Sequence, residues 1–131
     1  MTKPISFALA SLLPLAGCTV AARSPDAYRD DTAKLLLAKN EAIRSCYDAV
    51  LRATPTAQGR VTVRFDVETE QGRISHVTVD GANTTAPGSV SECVTKNIDG
   101  LVLAPPDKRK GEAVWAYDFR AAPPVRGPGS S

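Results

Sequence analysis

Three cysteines, one histidine and a scatter of carboxylates are the side chains in this 131-residue sequence that could do chemistry. Cys46 and Cys93 are far apart in the chain, whereas a redox pair is expected as a close C-x-x-C at a helix start. A structural disulfide between them is the favoured reading, with two buried thiols or a redox function as the alternatives. His76, the only histidine, has polar neighbours Ser75 and Thr78 and is expected at a solvent-facing or bulged strand position. With no second histidine and the cysteines accounted for, a metal site has too few ligands, so no metal and no cofactor are expected. The carboxylates Asp26, Asp30, Asp31, Asp66, Glu68, Glu70 and Asp99 fall at helix starts, on a strand face and at a helix end, where they cap and solubilise. No G-x-S-x-G, no phosphate loop and no Ser/His/Asp set can be assembled, so no catalytic residue and no small-molecule substrate are assigned.

Cys18 reads differently. From Met1 to Gly17 the only charge is Lys3, and Ile5 to Leu15 is a short apolar run interrupted by Pro14. Such a run fits a secretory signal and falls short of the roughly 20 apolar residues of a membrane helix. Leu15-Ala16-Gly17-Cys18 at its end resembles the bacterial lipobox. That resemblance implies removal of residues 1–17 and a diacylglyceryl group, with palmitate-type chains, on the Cys18 thiol. Acyl chains contribute about 0.8 kcal/mol per buried CH₂, so the expected partner of Cys18 is a membrane that holds it permanently. Thr19 is not the aspartate that some bacteria use for inner-membrane retention, so an outer-membrane, periplasm-facing location is preferred. Outside the reducing cytoplasm the remaining pair, Cys46 and Cys93, is free to form a lasting disulfide. Sixteen Lys+Arg against 14 Asp+Glu, with Lys108-Arg109-Lys110 as the one basic trio, leave no footprint for nucleic acid.

Residues 18–30 are read as a lipid-anchored tether of about a dozen residues, reaching about 40 Å at most. Ser24-Pro25-Asp26 within it has the form of a helix start. From Asp31 to Ala53 the apolar residues Leu36, Ile43, Cys46, Tyr47 and Val50 recur at helical spacing, and Thr54-Pro55 ends the helix. Arg60 to Thr69 alternates, with Val61, Val63, Phe65 and Val67 on one face. Gln71-Gly72 turns the chain into a second strand, Arg73 to Asp80, whose broken alternation predicts a bulge. Ser89-x-x-Glu92 has the capping-box form, and Val90, Cys93, Val94, Ile98 and Leu101 share the face of the helix it would start. Gly100 ends that helix and Pro105-Pro106 carries the chain on. Glu112 to Arg120 forms a last strand, and residues 121–131, rich in Pro, Gly and Ser, read as a disordered tail.

The expected fold is α+β: a two-layer αββαβ domain over residues 31–120, with helices packed on one face of a three-stranded antiparallel sheet. Cys46 and Cys93 would meet at the seam between the helices. In the last strand Trp115, Tyr117 and Phe119 form a core-facing stripe, and Ala116 and Asp118 face away. A terminal strand can lie at a sheet edge, so residues 115–119 are a candidate site for an extended peptide or another envelope protein.

Several of these residues also carry a family resemblance. Ile43-x-x-Cys46, Gly59-Arg60-Val61-x-Val63-x-Phe65-x-Val67, Gly72-Arg73-Ile74, Val90-x-x-Cys93-Val94, Pro105-Pro106 and the closing aromatic strand recur in order. The run resembles the C-terminal domain of myxobacterial gliding-motility proteins of the AgmX/PglI type, itself similar to the TonB C-terminal domain. The resemblance implies a non-catalytic envelope module that binds protein, associated with gliding or with secretion and transport machinery. TonB-type transducers have a membrane helix and a long proline-rich spacer, which this chain replaces with a lipobox and a short tether, so an energy-transducing role is not implied. The other readings are a structural or peptidoglycan-associated lipoprotein and a small enzyme without a familiar motif.

Overall fold

The computed structural model describes residues 20–121. The leader over 1–17, the lipobox Cys18 and the tail from residue 122 lie outside the described residues. The elements run α1 (Pro25–Leu37), α2 (Asn40–Ala53), β1 (Gly59–Val67), β2 (Ile74–Val79), a 3₁₀ turn (Gly81–Asn83), α3 (Gly88–Ile98) and β3 (Gly111–Phe119). The three strands form one antiparallel sheet in the order β2-β1-β3, so the strand with the cleanest alternation is the central one. Val61, Val63, Phe65 and Val67 of β1, with Ile74 of β2, are buried against the helices, while Arg60 and Arg64 on the other face are exposed. Each such apolar side chain contributes roughly 1.5–3 kcal/mol relative to leaving it in water. The α+β fold and its three-stranded antiparallel sheet are as the sequence predicts.

The Cys46–Cys93 disulfide is present, with the Cα atoms 5.6 Å apart, and joins α2 to α3. The bulge in β2 is present too. Arg64 pairs with Thr78 but Asp66 pairs with Ser75, so His76 and Val77 together face Phe65. At this bulge His76 takes the left-handed conformation, φ 51°. In the β1–β2 turn Gly72 has φ +67°, and a Cβ there would collide with the Leu103 carbonyl. The Leu103 N–H donates to the Gly72 carbonyl at 2.7 Å, which fixes the segment after α3 against this turn.

Three expectations are corrected. The single helix predicted from Asp31 to Ala53 is two helices, broken at Ala38-Lys39, and the order is ααββαβ. Leu36 and Ile43 are two full turns apart, so the apolar phase runs through the break and hydrophobic spacing cannot detect it. Ser89 does not cap α3: the helix begins at Gly88 after Pro87 and has no side-chain cap. The tether read over 18–30 is also corrected, because residues 20–30 belong to the domain. Ser24 caps α1, its Oγ accepting from the Ala27 N–H at 3.2 Å. Ahead of it, Ala21 donates to the Pro106 carbonyl at 2.9 Å and accepts from the Lys108 N–H at 3.0 Å.

Asp107 is the hub of this attachment. Its carboxylate is buried and accepts from the backbone N–H of Arg23 at 2.8 Å and of Arg109 at 3.0 Å. Arg23 is nearly enclosed as well; it donates to the Pro105 carbonyl at 2.9 Å and pairs with Asp31 at 2.7 Å. Burial pushes the Asp107 carboxyl pKa up, but the two backbone donors and the Arg109 and Arg23 charges outweigh it, and the result lies below the usual carboxylate value. Composition alone makes residues 20–30 look like linker, because the partner that orders them is more than 80 positions away.

Candidate functional site

The candidate site is the outer edge of β3, and the hydrogen bonding of β1 decides which atoms it presents. On β1 the even-numbered residues bond toward β2 and the loop beyond it: Asp80 N–H to Thr62 C=O at 2.8 Å, Thr85 N–H to Arg60 C=O at 2.8 Å, Glu68 N–H to Arg73 C=O at 2.9 Å. The odd-numbered residues of β1 therefore bond toward β3. Their partners form nine consecutive pairs from Gly59↔Phe119 to Val67↔Gly111 without a register shift. It follows that Gly111, Ala113, Trp115, Tyr117 and Phe119 spend their backbone groups on β1. Glu112, Val114, Ala116 and Asp118 turn their N–H and C=O groups outward, and no fourth strand covers them among the described residues.

The two edges of the sheet differ. β2 is short and bent by its bulge, features that discourage pairing with another strand. β3 is regular over nine residues. Its ends are charged and cross-linked, with Asp118 paired to Arg60 at 2.9 Å and Glu112 to Lys110 at 3.6 Å. Between them Val114 and Ala116 are exposed and uncharged, and Val114 is 53 % exposed. An approaching strand thus meets no unpaired charge at the centre.

On the helix side of this edge lies a mostly apolar groove of about 470 Å³ between α1 and the first half of β3, lined by Tyr28, Thr32, Val67, Val114 and Trp115, with Arg29 and Arg109 at its rim. Tyr28 sets its depth. Its ring lies so close to Gly111 that a Cβ at that position would meet the hydroxyl at 2.7 Å, and the hydroxyl donates to the Arg109 carbonyl at 3.2 Å. Along the second half of β3 a more polar groove runs beside α2, past Arg44, Tyr47, Tyr117, Phe119 and Arg120. Tyr47 and Phe119 pack with ring centroids 4.9 Å apart, and Tyr47 donates to the Ala57 carbonyl at 2.5 Å. The Tyr117 hydroxyl is buried with no hydrogen-bond partner among the described residues, and burial pushes its pKa to about 12.

The predicted residues 115–119 thus divide by parity. Ala116 and Asp118 turn their backbone groups away from β1, while Trp115, Tyr117 and Phe119 are half-buried and line the grooves. Glu112 and Val114 belong to the same edge and follow from extending the alternation back to Gly111. Tyr28 gives little signal in the sequence, because it stands in a small, polar stretch whose composition resembles a tether. The lipid-attachment residue Cys18 lies outside the described residues. His76 has both Asp66 Oδ2 at 3.1 Å and Ser75 Oγ at 3.3 Å on the same ring nitrogen, Nδ1. A relay needs acid and nucleophile on opposite nitrogens, so these three do not form a catalytic triad. Comparison of the chain with protein-family models, with curated proteins and with solved structures returns no match.

Proposed function

We propose that this chain is a cell-envelope lipoprotein, anchored through Cys18, whose domain captures an extended segment of another envelope protein by adding it as a fourth strand beside β3. The observation that carries the reading is the unbulged edge with outward N–H and C=O groups at Glu112, Val114, Ala116 and Asp118, flanked by the α1 groove. Strand addition takes affinity from main-chain hydrogen bonds and selectivity from pockets that receive alternate side chains. Here those side chains would enter the grooves beside α1 and α2. A partner within gliding or secretion machinery is what the AgmX/PglI-type resemblance implies. Proline at Ala116 tests the mechanism, because it deletes one outward N–H without emptying a core position, and an edge strand tolerates it. Ala116→Pro should stay folded, by circular dichroism, and lose partner capture in a cross-linking pull-down from intact envelopes. A folded Ala116→Pro variant that captures the same partner as the parent would exclude strand addition here. The anchor is tested separately: Cys18→Ser should abolish incorporation of labelled palmitate.

A further inference from the structure

Resting on the lipoprotein reading above, we infer that the domain does not hang free on a tether but lies against the bilayer, with the turn containing Lys108 and Arg109 at the lipid headgroups. The attachment of residues 21–23 to the 105–109 turn supports this. Ala21 is hydrogen-bonded on both sides, to Pro106 and to Lys108, and Arg23 is locked by the buried Asp107 carboxylate. Only three peptide steps separate Cys18 from Ala21, a reach of about 10 Å at 3.3–3.6 Å per residue. That is close to the Debye length of about 8 Å at physiological salt. The Lys108 N–H bonds Ala21 itself, at 3.0 Å, so the lysine leaves the fold at the point where the chain reaches toward the membrane. Lys108 is exposed there, and its cation matches the phosphates of lipid headgroups, whereas the exposed Arg109 is partly held, its guanidinium donating to the Arg23 carbonyl and lying 4.0 Å from the Asp107 carboxylate. Lys110 contributes less, being held by Asp66 at 3.2 Å and Glu112 at 3.6 Å. β3 begins at Gly111, so its open edge starts beside the membrane and runs away from this turn toward Phe119.

The test attaches the chain in vitro and so does not depend on whether cells acylate it. With Cys46 and Cys93 joined, Cys18 is the one free thiol of the chain from Cys18 onward, and it can be coupled to a maleimide-headgroup lipid in vesicles containing phosphatidylglycerol. Amine acylation read by mass spectrometry then reports the exposure of Lys108, with the exposed Lys34 on α1 as the reference. A basic side chain near an anionic surface gains about 1 kcal/mol, about fivefold, so labelling of Lys108 should fall by about that factor on coupling while Lys34 is little changed. A Gly/Ser spacer of about 12 residues between Thr19 and Val20 adds about 19 Å of mean reach, beyond the Debye length, and should restore labelling without touching the fold. Equal labelling of Lys108 in coupled and uncoupled chain would overturn the inference. So would protection that survives the spacer, since the short connection would then not be its cause. Failure of palmitate labelling in cells would instead count against the anchor alone.

Discussion

At the scale of single residues, Asp107 and His76 differ in how much of their surroundings the sequence carries. His76 was expected on a solvent face or at a bulge, and its broken strand pattern put it there. Asp107 gave no signal, because its role comes from two backbone N–H groups, one of them 84 positions away, that converge on it. Its depressed pKa makes a signed prediction. A carboxyl whose folded pKa lies below its unfolded value, 3.8, contributes stability that is full above that value and lost as pH falls through the folded value. Asp107→Asn should therefore lower stability at pH 7 and flatten the acid limb of the pH–stability curve below about pH 4. Urea denaturation at pH 7 and at pH 3 checks it, with the parent losing more stability than the variant between the two. Equal acid sensitivity would place the effect on other carboxylates, such as Asp31 and Asp80, whose pKa values are lowered by hydrogen bonds from Arg23 and from Asn83 and Arg64.

At the scale of elements, periodicity located the strands to within two residues at their ends, and it found the apolar faces of α2 and α3 but not the start of either helix, since both signals come from one buried face. It failed at Ala38-Lys39, where a break preserves the apolar phase, and at α1, where Tyr28, Thr32 and Leu36 are spaced for a helix but sit among small and charged residues. The disulfide was legible because both cysteines lie within the apolar stripes of their helices. It closes a loop with a sequence separation of 47. In the chain-entropy account a closure of that length contributes roughly 4 kcal/mol, a large part of a small domain's stability. Cys46→Ser and Cys93→Ser should each lower the denaturation midpoint strongly. Cys93→Ser should cost somewhat more, because Cys93 is fully buried and the hydroxyl would lack water, whereas Cys46 is half-buried. Midpoints of both variants within a degree or two of the parent would show that the bridge adds little.

At the scale of the whole molecule, the attachment of Ala21 and Arg23 to the 105–109 turn and the open edge of β3 share one end of the sheet at Lys110-Gly111. Residues 21–23 and the strand proposed to receive a partner are thus joined by a short, well-bonded segment. The sheet order was the part of the site least available from sequence. Alternation assigns faces, but only the pairing of β1 to both neighbours makes β3 an edge. Pairing parity then fixes the four outward amides, and strand addition is tested most directly on them. An extended peptide selected by display against the folded domain is added, and amide hydrogen exchange is followed by NMR along residues 111–119. The expected result is that Glu112, Val114, Ala116 and Asp118, fast in the free domain, become protected together, while Ala113, Trp115 and Tyr117, already bonded to β1, change little. Protection confined to α2, α3 or the loop around Asn83, with the four edge amides still exchanging fast, would contradict it.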